Sequence, residues 1–262
     1  MQKTIVTIAL ILSAFSISNL TAQNTDDFVK FNPNLWVAKY EVSNANYKEF
    51  LDDWQKKHGR EEVKKLKPDS TQWRTKLAKS YNEPMFEKYH NHPAYNNYPV
   101  VNIDEEAAES YCKWFTEKYN SSKKREFKKV IFRLPTEEEW QSFSSPLIGN
   151  RLPWYGNLPY LSNEKGQMDC MLTNIKVIDY ASEKFHHAAD GGFYTTGIGL
   201  YKCNNLGLFD IIGNAAEMTS DDKIKGGSWD NTLEECYIDL SQNYSAPDPR
   251  VGFRLVMEVI EA

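Results

Sequence analysis

The sequence predicts an α+β domain whose first half carries the helices and whose second half is loop-rich with short strands. Three observations predict it. Before Ser145, three segments repeat apolar residues at helical spacing, each behind a residue able to cap a helix. After Ser144 the composition shifts to Gly, Asn, Asp, Pro and aromatic residues, which favour turns and irregular chain. The strand candidates left in that half are brief: Gly192 to Thr196, Lys223 to Gly226 and Gly252 to Val259.

In chain order, the first segment reads as a secretory signal over residues 1–22. Met1 to Lys3 give a basic start, Ile5 to Ile17 an apolar run, and Leu20-Thr21-Ala22 a small-residue end, with cleavage expected near Gln23. A buried N-terminal strand is the alternative. The run is shorter than the roughly 20 residues a bilayer requires, and no later stretch matches it, so no transmembrane segment is expected. No cysteine follows the run, which argues against a lipid anchor. The mature protein is therefore expected to be exported, to the periplasm or the cell exterior. Residues 23–35 read as a lead-in and 36–262 as one domain, since no repeat or low-complexity linker divides them.

Ser43 caps the first helix, where Tyr47, Phe50, Leu51 and Trp54 fall on one face. Asp104 caps the second, with Ala108, Tyr111, Cys112 and Phe115 inside. Thr136 to Glu139 form a capping-box pattern that opens a third, short helix around Trp140 and Phe143. Lys56 to Lys67 reads as a solvated helical face and Lys118 to Lys129 as an exposed basic loop. The rest, roughly a hundred residues of loop, needs metals or buried aromatics to tie it down. Aromatic residues at 13%, including 7 Trp and 15 Tyr, suit that demand.

With 31 basic and 36 acidic residues the net charge is −5, and loss of Lys3 with the signal makes the mature chain −6. That balance excludes nucleic acid and anionic membrane surfaces as natural partners. The four cysteines, Cys112, Cys170, Cys203 and Cys236, permit three full disulfide pairings. Cys112, inside an apolar helical stripe, is expected to be buried and unpaired. Asp210 and Glu217 bracket "IIGNAA", where a turn at Gly213 aims main-chain carbonyls between two carboxylates. Calcium takes about 6 to 8 oxygens from such a mixture. Loop capping and salt bridging without a metal is the other reading of that pair. The histidines, His90 and His92 or His186-His187, lack the further ligands of a transition-metal site.

Six phrases in order carry a resemblance. "KYEVSNANYKEFL" (Lys39 to Leu51), "YPVVNIDEEAAESYCKWF" (Tyr98 to Phe115), "FRLPTEEEW" (Phe132 to Trp140), "NNLGLFDIIGNAAEMTSD" (Asn204 to Asp221), "KGGSW" (Lys225 to Trp229) and "VGFRLV" (Val251 to Val256) resemble the signature blocks of the formylglycine-generating-enzyme, or sulfatase-modifying-factor, family. The resemblance implies a C-type-lectin-like α+β fold, with a small twisted antiparallel core, two or three helices and long loops that commonly bind calcium. It would assign Asp210 and Glu217 as side-chain calcium ligands with carbonyls from Gly213 and Ala215. A second site would map to Asn174 and Asp190, with carbonyls from Ile175 and a residue near Gly192. "YHNHPAYNNYPVV" (Tyr89 to Val101) resembles a branch found in gliding-motility and secretion-associated bacterial lipoproteins.

The family's catalytic chemistry, as the resemblance implies it, uses two cysteines five residues apart that bind copper(I) and oxidise a substrate cysteine to formylglycine. Soft thiolates select that ion, and two are needed. Here Cys236 matches the second position and Asn231 occupies the first. The basic run that normally follows is Ile238-Asp239-Leu240-Ser241-Gln242, and the block's two aromatic positions are Ala216 and Met218. Ser228 and Trp229 match. Cys236 can then be a buried or disulfide-bonded structural cysteine, a reactive thiol, or half of a copper site completed by another cysteine. The expected function is a non-catalytic, calcium-stabilised binding or scaffold module of the cell envelope that engages a protein, peptide or glycan. The alternative is a copper-dependent oxidase with Cys236 and Ser228 as surviving catalytic members.

Overall fold

The structure, a computed structural model, describes residues 25–78, 83–145, 149–162, 164, 168–179, 184–185 and 191–262. The signal segment 1–22, its cleavage point near Gln23, His186-His187 and Asp190 lie outside the described residues. Along the chain run β1 (Phe28–Lys30), β2 (Leu35–Ala38), α1 (Asn44–His58), α2 (Arg60–Lys65), α3 (Gln72–Thr75), α4 (Glu83–Lys88), α5 (Glu105–Ser121), β3 (Lys129–Arg133) and α6 (Glu137–Ser144). The second half has β4 (Tyr160–Ser162), β5 (Met168–Met171), β6 (Ile178–Asp179), β7 (Lys184–Phe185), β8 (Ala216–Met218), β9 (Lys223–Lys225), β10 (Gln242–Asn243), β11 (Val251–Gly252) and β12 (Val256–Glu261).

The three expected helices form behind their expected caps, because each cap supplies an acceptor for a first-turn N–H that has no helical partner. The Ser43 hydroxyl accepts from Asn46 N–H at 3.2 Å, and Asp104 Oδ1 accepts from Ala107 N–H at 2.8 Å. Thr136 Oγ1 accepts from Glu139 N–H at 3.1 Å while Glu139 Oε2 accepts from Thr136 N–H at 2.9 Å, closing the capping box. Packing decides the stability of α1 and α5. Phe50 and Tyr111 are fully buried with ring centroids 5.5 Å apart, and Tyr47 stacks on Tyr111 at 5.9 Å. Each such side chain contributes on the order of 2 kcal/mol. The exposed pairs Lys56–Asp53, Lys64–Glu61 and Lys65–Glu62 contribute only about 0.3 kcal/mol each.

Two four-stranded sheets organise the domain. The first has the order β1-β2-β12-β3 and is antiparallel throughout, with Val256 facing Val37 on one side and Arg133 on the other. Strand alternation distributes its residues between two cores. Ala38, Phe132 and Met257 join the core under α1 and α5, whereas Leu35, Val37 and Val256 join the core with Trp140, Phe143 and Cys236. The second sheet has the order β10-β9-β8-β11, with β11 parallel to β8 and the other pairs antiparallel. The lead-in 23–35 is not separate from the domain: it carries β1, and Phe28 enters the first core.

Two strand expectations are corrected. Gly192 to Thr196 is not a strand, because side-chain amides take its backbone groups. Asn174 Nδ2 donates to Tyr194 O at 2.9 Å, and Asn214 Oδ1 accepts from Thr196 N–H at 2.8 Å. Gly252 to Val259 is not one strand but two, interrupted at Phe253-Arg254-Leu255 where the Arg254 side chain turns into the interior. Lys223–Lys225 forms as expected, and Lys56 to Lys67 is a solvated face apart from buried Val63 and Leu66.

The Glu105 side chain, in the first turn of α5, hydrogen-bonds Asp222 in the β8–β9 turn. Burial, Asp222 and Glu109 push its carboxyl from the ordinary 4.5 up to about 7. The folded state thus holds a proton that the unfolded chain releases, so this contribution is full below about pH 4.5 and lost as pH rises through about 7. We expect the melting temperature to fall between about pH 5 and pH 8, and Glu105→Gln to flatten that fall. An unchanged slope in the variant would remove Glu105 as its source.

Candidate functional site

The loops of the second half converge on a buried charge cluster. Arg254 is fully buried, and every side of its guanidinium is bonded. Nη1 donates to Ala38 O at 2.8 Å and Lys39 O at 2.7 Å, and Nη2 donates to Phe209 O at 2.6 Å. Nη2 and Nε both reach Glu217, at 2.6 and 3.0 Å to Oε1. Glu217 Oε2 also accepts from Trp140 Nε1 at 2.7 Å, which joins α6 to β8. This ion pair holds the first-sheet strands, the α6 helix and the loop ending at Phe209 in one place.

Glu41 and Asp210 lie beside it. Glu41 is fully buried and accepts from Asn214 Nδ2 at 2.9 Å and Ala215 N–H at 3.1 Å. Burial raises its carboxyl well above the usual carboxylate range, and the charges of Asp210 and Glu217 add to the rise. Asp210 Oδ2 accepts from Gly199 N–H at 2.6 Å, while buried Oδ1 has no partner among the described residues. Burial pushes Asp210 up to about 6 against the lowering influence of Gly199 N–H and Arg254. Three buried carboxylates therefore share one guanidinium.

Asn174 lies against the same turn. Its carbonyl accepts from Asn214 N–H at 2.8 Å, and its side-chain Oδ1 is buried without a partner among the described residues. Gly213, at φ 75°, permits this approach, because a Cβ there would collide with Asn174 O and Thr173 Oγ1. The structure thus brings Asp210, Gly213, Ala215, Glu217, Asn174 and Ile175 into one region. It gives them unequal roles: Glu217 is the counter-ion of Arg254, whereas Asp210 and Asn174 each keep an unmatched oxygen. Such oxygens fit a hard cation. Among the described residues, no three His, Cys, Asp or Glu side chains converge on a metal by themselves, so any calcium there would draw on carbonyls.

The thiol lies elsewhere. Cys236 ends a short 3-10 turn, Glu234–Cys236, and is fully buried under Gly227, whose added Cβ would meet Sγ. Burial, with Glu235, raises the thiol far above its ordinary value, against the pull of the Gly213 and Ser228 N–H groups. Thiolate reactivity is opposed there. All four cysteines are free thiols, so the disulfide-bonded state of Cys236 is not the one observed. Asn231, at the other thiol position, closes its own turn: Oδ1 accepts from Ser228 N–H at 3.0 Å and from Ser228 Oγ at 2.8 Å. A cavity of about 150 Å³ opens beside them, lined by Ser228 and Asn231 but not by Cys236. These donors do not fit copper(I), since the hard oxygen is engaged and the soft sulfur is sealed off.

His90 is buried, with Nδ1 3.2 Å from Asn44 Oδ1, and plays no part in the cavity. Sequence reasoning did not single out Glu41, Trp140 as a hydrogen-bond donor, Asn214 or Arg254. A signal for Arg254 existed: an arginine inside the apolar phrase "VGFRLV" must find an acid if that phrase is buried.

The chain matches the sulfatase-modifying factor enzyme 1-like domain over residues 14–259, nearly its whole length. It belongs to that family. The formylglycine-generating enzyme of Mus musculus is 29% identical over 128 residues, which are 48% of this chain and 28% of the mouse protein. The match thus spans less than a third of that relative. Among solved structures, PvdO from Pseudomonas aeruginosa superposes with a TM-score of 0.55 at 16% identity, covering 86% of this chain and 80% of that one. CarF superposes with a TM-score of 0.52 at 15% identity, covering 86% of each. The architecture is the C-type-lectin-like α+β fold of the family.

Removing Glu217 leaves a buried guanidinium without its counter-charge. Glu217→Gln is expected to cost about 3 to 5 kcal/mol in urea unfolding. A loss below about 1 kcal/mol, the range of an exposed pair, would mean that Arg254 does not depend on it.

Proposed function

We propose that the chain is an exported, non-catalytic member of this family, a calcium-stabilised binding or scaffold module for a protein, peptide or glycan at the cell envelope, in gliding or secretion machinery. One observation carries the non-catalytic reading: the Cys236 sulfur is sealed beneath Gly227 while the Asn231 oxygen is held by Ser228. Two donors for a soft monovalent ion are not both available to the cavity. Ser228 then serves the turn, its hydroxyl donating to Asn231 and accepting from Asp230 N–H at 3.3 Å. No helix of the described residues is long and apolar enough to cross a membrane. Export rests on the N-terminal sequence pattern, and the gliding or secretion setting on the "YHNHPAYNNYPVV" phrase.

The calcium reading is supported by the buried oxygens Asp210 Oδ1 and Asn174 Oδ1, unmatched among the described residues. Asp210, with carbonyls of Gly213 and Ala215, would hold one ion, and Asn174, with Ile175 O and Asp190, a second. Glu217 would act through Arg254, fixing the loop that presents Asp210.

Copper(I) titration of the reduced protein tests the first half: no stoichiometric binding is expected, whereas tight binding lost on Cys236→Ser would restore the alternative, a copper-dependent oxidase converting a substrate cysteine to formylglycine. The second half is tested by Asp210→Ala and Asn174→Ala. Both are expected to lower the melting temperature more in calcium than in chelator, where only the lost hydrogen bonds from Gly199 N–H to Asp210 and from Asn174 to Tyr194 O count, because an ion at about a hundred times its dissociation constant adds about 2.7 kcal/mol. Equal losses in the two buffers would defeat the calcium reading.

A further inference from the structure

The passage from α5 into β3 crowds five cations into seven residues. Lys123, Lys124, Arg125, Lys128 and Lys129 stand against the single acid Glu126, in a chain whose net charge is −5. All five are exposed. Lys128 reaches Glu261 at 3.6 Å, but both side chains of that pair lie largely in water, where such a pair contributes little. Lys123, Lys124, Arg125 and Lys129 form no ion pair among the described residues. The loop is also held in shape. The Tyr119 hydroxyl accepts from Glu126 N–H at 3.1 Å and from Phe127 N–H at 3.0 Å, while Arg125 donates from Nε to Lys128 O at 3.0 Å and from Nη1 to Ser122 O at 2.7 Å. These bonds fix the backbone that carries the lysines, so their mutual repulsion is built in and an anionic ligand relieves it.

What the loop lacks selects among anions. Its aromatic ring, Phe127, turns inward onto Trp36 with ring centroids 5.6 Å apart, so it offers no exposed face for stacking a base. The same turn inward removes the apolar centre around which a protein interface is built. On the sheet side, Glu261 stands opposite Lys129 and Glu258 opposite exposed Ile131, which puts acids on the outward face shared by those residues. The positive area is therefore a narrow strip, and a flat anionic bilayer would meet those acids as well. A fixed row of cations with neither stacking rings nor an apolar centre matches a linear, hydrophilic polyanion.

We propose that the loop 123–129 binds a linear anionic polysaccharide at the cell envelope, its sulfate or carboxylate groups pairing with Lys123, Lys124 and Lys129. The inference rests on the exported, glycan-binding reading above and names the class of glycan. Calorimetric titration of the full chain tests it, with dextran sulfate and hyaluronate as the sulfated and carboxylated probes and neutral dextran as the uncharged one. At least one polyanion should bind saturably, and about 10- to 100-fold more weakly at about 200 mM salt than at about 50 mM, while neutral dextran should not bind. The probe that binds identifies the anionic group. Lys123→Gln together with Lys124→Gln should weaken that binding about 10-fold. Lys64→Gln together with Lys65→Gln removes the same charge from α2 and should leave it within about twofold. No saturable binding of either polyanion, binding indifferent to salt, or equal loss in the α2 variant would overturn the proposal. Tighter binding of a short DNA duplex or of phosphatidylglycerol vesicles than of both polysaccharides would overturn it too, by assigning the loop to another class of partner. The copper titration and the melting comparison in calcium do not involve this loop, so failure here and failure there are read separately.

Discussion

The buried pair of Arg254 and Glu217 organises the rest of the structure. A guanidinium with no exposure to water tolerates no unmatched donor, and a buried charge removed from its partner costs several kcal/mol. Its donors are therefore distributed over Ala38, Lys39, Phe209 and Glu217, from three separate regions of chain. Meeting that demand breaks the C-terminal strand in two, brings the long loop that ends at Phe209 against β2, and sets Asp210 next to the cluster. Trp140 adds α6 to the same point through Glu217 Oε2. Long loops are ordered here by charge satisfaction rather than by sheet.

The same demand separates the chemistry of the two halves of the site. Oxygen donors gather on the Arg254 side, where carboxylates exceed cations and two side-chain oxygens stay unmatched. The sulfur is buried against Gly227, in an apolar core with Trp140, Ile211 and Ile238. Desolvation favours the neutral thiol there.

The helices and their caps were legible in the sequence because each depends on neighbours within a few residues: Ser43 on Asn46, Asp104 on Ala107, Thr136 on Glu139. The family was legible as well, from six phrases in order. The Gly192 to Thr196 strand was misread because its backbone partners, Asn174 and Asn214, are side-chain amides roughly twenty residues away, which no local pattern reports. Glu217 was read as a calcium ligand or as a salt-bridging loop acid, and its partner Arg254, 37 residues on, could be found only in three dimensions.

By itself, then, the sequence determined the α+β class and the capped starts of α1, α5 and α6, since composition and short-range spacing carry these, while the missing thiol position and the altered basic run were implied by the family resemblance. Tertiary structure alone decided which carboxylate neutralises Arg254, which oxygens stay unmatched among the described residues, and that Cys236 is sealed from the cavity. Those outcomes depend on distances between residues far apart in the chain, and burial makes each unmatched charge or donor too costly to leave to chance.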